Sequence, residues 1–170
     1  MDALAKMKPA FKEGGTVTAA NSSGINDGAA AVVVMSQAKA KELGIKPLLV
    51  IRSQAVVGNH PDIMGYAPAA AMQKVVAKAG FALADIDLFE INEAFAAQAA
   101  AVVRDLNLAK DKVNVNGGAI ALGHPVGATG AILVVKLMNE LKRRSARYGV
   151  VSMCIGGGQG IATVFENLQA

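Results

Sequence analysis

The sequence predicts an α/β protein built as a mixed β-sheet covered by helices. Three observations carry this prediction. From Leu48 onward, strand-like and helix-like segments alternate in the order β-α-β-α-β-α-β-β. The strand-like segments are continuously apolar rather than alternating, which is the pattern of strands covered on both faces. The last two are joined by a glycine-rich turn, which predicts an antiparallel hairpin and so a sheet of mixed direction.

Each element follows from local chemistry. Met1 to Phe11 reads as a short helix, and Glu13-Gly14-Gly15 as a turn. Thr16 to Ala19 is a candidate strand, followed by the polar loop Asn21 to Gly28. Ala29 to Met35 reads as a fully buried strand. Ser36 is placed to cap a helix over Gln37 to Leu43, which Gly44 ends. Pro47 introduces the apolar strand Leu48 to Val57. A loop with two prolines and two glycines, Gly58 to Pro68, leads to a helix over Ala69 to Lys78, closed by Gly80. Ile86 to Glu90 is a short buried strand. Asn92 to Leu106 is an amphipathic helix with Phe95, Ala99, Val102, Val103 and Leu106 on one side. Lys112 to Asn116 reads as a strand, Ala128 to Arg144 as a helix, and Tyr148 to Met153 and Ile161 to Glu166 as the final strands. Residues 1–47 supply too few elements to close a unit of their own, so residues 48–170 form the main domain.

Composition narrows the class. The apolar share is 53%, against the usual ~45–50%. No apolar run approaches the ~18 residues of a membrane span. The excess therefore points to buried strands and Ala-rich helices, or to surface meant for a partner. The N-terminus has an early acid and no apolar signal region. A single cysteine among 170 residues excludes an intrachain disulfide framework and a Cys-rich zinc site, and the expected setting is the reducing cytoplasm. Net charge is +4, and the one basic cluster, Lys142 to Arg147, closes a predicted helix, where cations complement the dipole. With no Trp and few aromatics, no nucleic-acid partner is expected.

The chemistry concentrates in two glycine-rich loops. Asn116 to Gly130 holds His124 among Gly117, Gly118, Gly123, Gly127 and Gly130. Such density marks backbone that turns sharply or approaches a ligand closely. Cys154 opens the second cluster, Cys154-Ile155-Gly156-Gly157-Gly158-Gln159-Gly160. That cluster leads into a strand rather than a helix, so it is not a dinucleotide fingerprint. One loop bearing His and one bearing Cys suggest acyl or proton transfer. The plainer alternatives are a helix-capping His124 and a Cys154 acting as a small buried hydrophobe. Asn92 also reads as an N-cap, with Glu93 favourable in the first turn.

Asn92-Glu93-Ala94-Phe95-Ala96, Gly123-His124-Pro125 and Cys154-Ile155-Gly156-Gly157-Gly158 stand in an order and spacing that resembles the C-terminal half of thiolases. Ser22 to Ala31 and Met64-Gly65 resemble thiolase segments too, with the acetoacetyl-CoA-type branch the more similar. The resemblance implies a layered thiolase fold. Residues 1–47 would be the tail of the N-terminal domain with part of the CoA-binding loop region, and 48–170 the C-terminal domain. It implies reversible Claisen condensation of acyl-CoA thioesters, with Cys154 as acid/base and His124 and Asn92 in the enolate oxyanion hole. The Gly156 amide would be a donor to the tetrahedral intermediate. Ser23, Met64 and Phe95 would contact pantetheine and the acyl chain, or else simply pack. Coenzyme A thioesters are then substrates, with no metal and no other cofactor expected.

One departure matters most. Thiolases carry a nucleophilic cysteine in an N-terminal half, and Cys154 corresponds to the second cysteine, the acid/base. The implied partner is therefore a complementary N-terminal half or a further copy of the chain. A non-catalytic CoA-binding or assembly module is the competing expectation. Smaller departures are His60, where an acid is usual, and Tyr66-Ala67, where a smaller, glycine-containing sequence is usual.

Overall fold

The computed structural model describes residues 2–169; the predicted termini Met1 and Ala170 lie outside them. Three helices and a strand come first: α1 (Asp2–Ala5), α2 (Gln37–Glu42), β1 (Leu49–Gly58) and α3 (Ala67–Ala79). They are followed by β2 (Leu88–Ile91), α4 (Ala96–Asp105), α5 (Ala119–Leu122), α6 (Thr129–Arg144), β3 (Tyr148–Gly156) and β4 (Gln159–Asn167). Short 3-10 turns join several of them.

The four strands form one sheet in the order β1-β4-β3-β2. β2 runs parallel to β3, while β4 is antiparallel to both β3 and β1. The sheet is thus mixed, and the final two strands form the expected hairpin. Side chains alternate between two apolar layers, as pleating requires. Phe89, Ile91, Val150 and Val164 pack with Met72, Val75 and Val76 of α3 and Val102 of α4. Leu88, Val151 and Phe165 face the opposite way, onto Leu133, Leu137 and Leu141 of α6. Successive residues such as Val150 and Val151 are buried against different helices, which is why the strands read as continuous apolar runs.

Helix ends follow the sequence signals. Ser36 accepts from Lys39 N–H at 3.1 Å and caps α2. Gly80, at φ 78°, closes α3 in the left-handed conformation that glycine adopts at little cost.

Several expectations are overturned. Ala29–Met35 is not a buried strand: it pairs with no strand among the described residues, and Val33 and Val34 are 86% and 72% exposed. A strand needs a neighbour to satisfy its backbone groups, and here there is none alongside. Thr16–Ala19 is not a strand either; Thr18 makes one bridge to Pro9 and instead caps a 3-10 turn over Ala19–Asn21. The N-terminal helix is confined to Asp2–Ala5. Lys112–Asn116 makes only the bridge Phe89–Val113, because Asn114 turns to φ 46° and breaks the extended run. The sheet therefore has one strand fewer than expected from Leu48 onward, and the parallel neighbour of β3 is β2. The helix expected from Asn92 begins at Ala96; Asn92 to Phe95 lie before it, with a bend at Ala94 and Phe95 extended. Cys154 lies within the end of β3 rather than in the loop after it.

Candidate active site

The site grows from the ends of the parallel pair. Ile91 is registered with Ser152, and Asn92 N–H donates to the Ser152 carbonyl at 3.0 Å, just beyond β2. Cys154 is two residues further along β3, on the same face as Ser152 by strand alternation. Two residues of strand span ~7 Å, so Asn92 and Cys154 stand at neighbouring strand ends.

Asn92 is 1% exposed. Its Nδ2 is 3.2 Å from His124 Nε2. Its Oδ1 is buried with no hydrogen-bond partner among the described residues. Asn92 is therefore not the helix cap that local sequence allowed.

His124 is held from both sides. Its backbone N–H reaches Gly24 O at 3.0 Å and Asn26 Oδ1 at 3.2 Å. Its Nδ1 is 2.7 Å from the Thr129 hydroxyl, at the first residue of α6. Half-burial holds its pKa below the ordinary imidazole value by penalising the charged form. His124 follows the short helix α5, not a strand as the sequence had suggested.

Cys154 is 9% exposed and pairs with Gly160 across the hairpin. A side chain at Gly160 would lie 2.7 Å from the Ala67 backbone, so the hairpin presses directly on the start of α3. Burial pushes the thiol up from its ordinary value, partly opposed by a backbone hydrogen bond. The hairpin tip, Gly156 to Gly158, has φ of 131°, 57° and 89° in succession. Only glycine takes that path readily, and it leaves Gly156 next to the bulge that follows Cys154.

The remaining expected residues are distributed around this centre. Ser23 is stitched to the Asn92 segment: its N–H and Oγ both donate to Ala94 O, at 3.1 and 3.2 Å. Phe95 is half-buried and meets Phe11 edge-on, with ring centroids 5.7 Å apart. Met64 is half-buried in the 3-10 segment Pro61–Tyr66, whose Gly65 lies against the Gln98 side chain of α4. The two departures make polar contacts elsewhere. His60 Nδ1 accepts from Asp62 N–H at 3.4 Å, and the Tyr66 hydroxyl donates to Asp105 at 3.1 Å.

Four residues position the site in ways the sequence did not reveal. Asn114 grips Ile91 through both its amide atoms, at 2.8 Å each, and donates to Glu93 at 3.1 Å. Glu93 in turn accepts from Ile120 N–H at 3.1 Å, tying the glycine loop to the Asn92 segment. Gly118 passes so close to the Glu93 carboxylate that a side chain there would sit 2.1 Å from it. Lys136 of α6 reaches both the buried Glu90 carboxylate, at 2.8 Å, and Gly117 O, at 2.6 Å. Burial raises the Glu90 pKa, and the Lys136 contact opposes that rise. The one signal in sequence was the Glu following Asn92, which reads equally well as a first-turn helix residue. Three cations of the basic cluster pair with carboxylates: Arg143 and Arg144 with Glu140, and Arg147 with Glu166.

Comparison with known proteins matches this architecture. The family model for the thiolase C-terminal domain matches residues 45–167, and that for the thiolase N-terminal domain matches residues 1–38. The chain belongs to the thiolase family. It is 56% identical over 165 residues to an acetyl-CoA acetyltransferase of Chromobacterium violaceum, covering 97% of this chain and 42% of that protein. It is 61% identical over 167 residues to the peroxisomal 3-ketoacyl-CoA thiolase B of Rattus norvegicus, covering 98% and 39%. The crystal structure of the Bacillus anthracis acetyl-CoA acetyltransferase superposes with TM-score 0.94 at 52% identity, over 98% of this chain and 42% of that one. A human mitochondrial 3-ketoacyl-CoA thiolase in complex with CoA gives 0.88 at 44%, over the same shares. The chain thus spans about two fifths of the length of these relatives.

Proposed function

We propose that this chain is the C-terminal portion of an acetyl-CoA C-acetyltransferase, a thiolase that runs the reversible Claisen condensation of acyl-CoA thioesters. The observation that carries the reading is the contact between buried Asn92 and His124, beside the strand end that bears the only cysteine. In condensation, one acyl group rests on a nucleophilic thiol. Cys154 removes a proton from the carbon beside the second thioester carbonyl. The enolate oxygen is stabilised by His124 and by a water that Asn92 holds, groups fixed before the charge develops. The enolate carbon then attacks the acyl thioester, and the nucleophilic sulfur leaves. The Gly156 amide donates to the tetrahedral intermediate of acyl transfer, while Ser23, Met64 and Phe95 border the pantetheine and acyl path.

Cys154 is the only cysteine in the sequence, so the nucleophile belongs to a complementary N-terminal half. The exposed run containing Val33 and Val34 is the surface that such a half, or another copy of the chain, would cover. Residues 1–47 are assigned to the N-terminal domain and 48–170 to the C-terminal domain. Relatives named acetyl-CoA acetyltransferase and 3-ketoacyl-CoA thiolase have similar identities, 56% and 61%, and the acetyl-transferring branch is the one proposed. The location proposed is the cytoplasm, from the lone thiol, although some relatives are named as peroxisomal.

The test is a coupled assay with acetyl-CoA and acetoacetyl-CoA, with and without an added N-terminal thiolase half. The expected result is no turnover by the chain alone, and turnover with the added half that is lost in Cys154→Ser and His124→Ala. Turnover by the chain alone that Cys154→Ser abolishes would overturn the assignment of Cys154 as base. The second reading is a non-catalytic CoA-binding module, favoured by the single cysteine. CoA binding that persists without any turnover, even with the added half, would select it.

A further inference from the structure

We infer that the outer edge of β1 is a self-complementary pairing surface, which Lys74 and Lys78 hold closed against a second copy of this chain. Its closure does not depend on the thiolase reading.

The edge is open by topology. β1 ends the sheet, with β4 on one side and no strand on the other among the described residues. The opposite end is covered: beyond β2, Val113 bridges Phe89, and Asn114 N–H donates to Phe89 O at 2.8 Å. Register decides which groups of β1 are free. From Ser53 to Gly58 the pairing with β4 runs without a shift, and Asn59 N–H, just beyond, donates to Gly158 O at 2.7 Å. Alternate residues of an edge strand turn their main-chain groups to opposite sides. Ser53, Ala55 and Val57 therefore turn theirs to β4, as Asn59 does, and Gln54 and Val56 turn theirs outward. A row of outward N–H and C=O groups is a template for another strand. Val56 is 51% exposed, so this template also carries apolar surface.

Both outward carbonyls already have a donor. Lys74 Nζ donates to Val56 O at 3.1 Å, and Lys78 Nζ donates to Gln54 O at 3.2 Å. The spacings match: four residues of helix rise about 6 Å, and two residues of strand span about 7 Å. Ser53 Oγ donates to Val75 O at 2.8 Å inside the core, which fixes α3 at this height beside the edge. The bulge between Ile51 and Ser53 ends the regular edge at its other limit.

The occupant is a second copy because the edge is its own complement. A two-fold axis perpendicular to the sheet sets two β1 strands antiparallel, with Gln54 of one copy opposite Val56 of the other. Each copy then needs the carbonyls that the lysines hold. The same axis puts both α3 helices on one face of the joined sheet, so the lysines of the two copies converge. Pairing must therefore break the lysine bonds and bring like charges together. Lysine is a common residue for blunting a sheet edge in this way.

The experiment is amide hydrogen exchange, read residue by residue by NMR on the nitrogen-15-labelled chain over a range of protein concentrations. In the wild type, the Ala55 and Val57 amides should be protected, and those of Gln54 and Val56 should exchange freely at every concentration. In Lys74→Ala/Lys78→Ala, protection at Gln54 and Val56 should rise with concentration. Adding Val56→Pro, which deletes one outward N–H, should abolish the protection at Gln54. Alanine is the best helix former, so α3 should persist; if it does not, Lys74→Gln/Lys78→Gln carries the same expectation. Free exchange at Gln54 and Val56 in the folded double variant at every concentration would overturn the inference. So would protection of those amides already in the wild type, or protection of Gln54 that survives Val56→Pro. Association through the exposed Val33 face leaves exchange at β1 unchanged, and is thereby told apart from pairing at this edge.

Discussion

Replacing Gly118 with Ala tests whether the clamp between the two motif loops is real. Gly118 has φ −117° and ψ −172°, which alanine adopts freely, so backbone strain adds nothing. The new methyl would instead stand 2.1 Å from the Glu93 carboxyl carbon and 2.2 and 2.4 Å from its oxygens. The carboxylate must swing away, abandoning Ile120 N–H and the Asn114 amide, each at 3.1 Å. Hydrogen bonds to charged groups contribute about 1.5–3 kcal/mol each. Glu93 is only half-buried, so water recovers part of that, and the expected loss is about 2–3 kcal/mol. For a chain of this size that lowers Tm by about 4–12 °C. The check is a double-mutant cycle by urea unfolding. In a Glu93→Ala background the methyl meets empty space, and Gly118→Ala should cost only about 0.5 kcal/mol, the helix N-terminus preferring glycine to alanine. The coupling is then about 2 kcal/mol, with m unchanged. Equal costs in both backgrounds would refute the clamp.

Two further outcomes follow from the charged and reactive groups. Arg143, with Asn116 and Arg144, holds the Glu140 carboxyl down from 4.5 to about 2. The unfolded chain therefore takes up that proton first, and the contribution is complete above pH 4.5 and lost as pH falls toward 2. Tm measured against pH should fall less steeply over that window in Glu140→Gln, which is also less stable at neutral pH; parallel curves would contradict the assignment. Burial raises the Cys154 thiol, so iodoacetamide should alkylate it several-fold more slowly at neutral pH than in the urea-unfolded chain. Equal rates would place the thiol in solvent.

The sequence by itself determined the α/β class, the mixed sheet, the closing hairpin and the three motifs that identify the family. These are local signals. Apolar periodicity marks α4, glycine fixes the end of α3, and apolar runs mark β1, β3 and β4, that of β1 interrupted by Arg52, Ser53 and Gln54. What failed depended on neighbours. Ala29–Met35 has the composition of a buried strand, but a strand exists only where another strand pairs with it, and none does among the described residues. Lys112–Asn116 has strand composition too, yet Asn114 does more by turning back to grip Ile91. Only the tertiary structure decided that Asn92 serves His124 rather than a helix end, that Glu93 binds the glycine loop, and that Thr129 faces the ring. Each of these contacts except the last joins residues more than twenty positions apart, and no periodicity encodes such a pairing. The Thr129 contact is close in sequence, but its partner is a ring whose other nitrogen meets Asn92, thirty-two positions away.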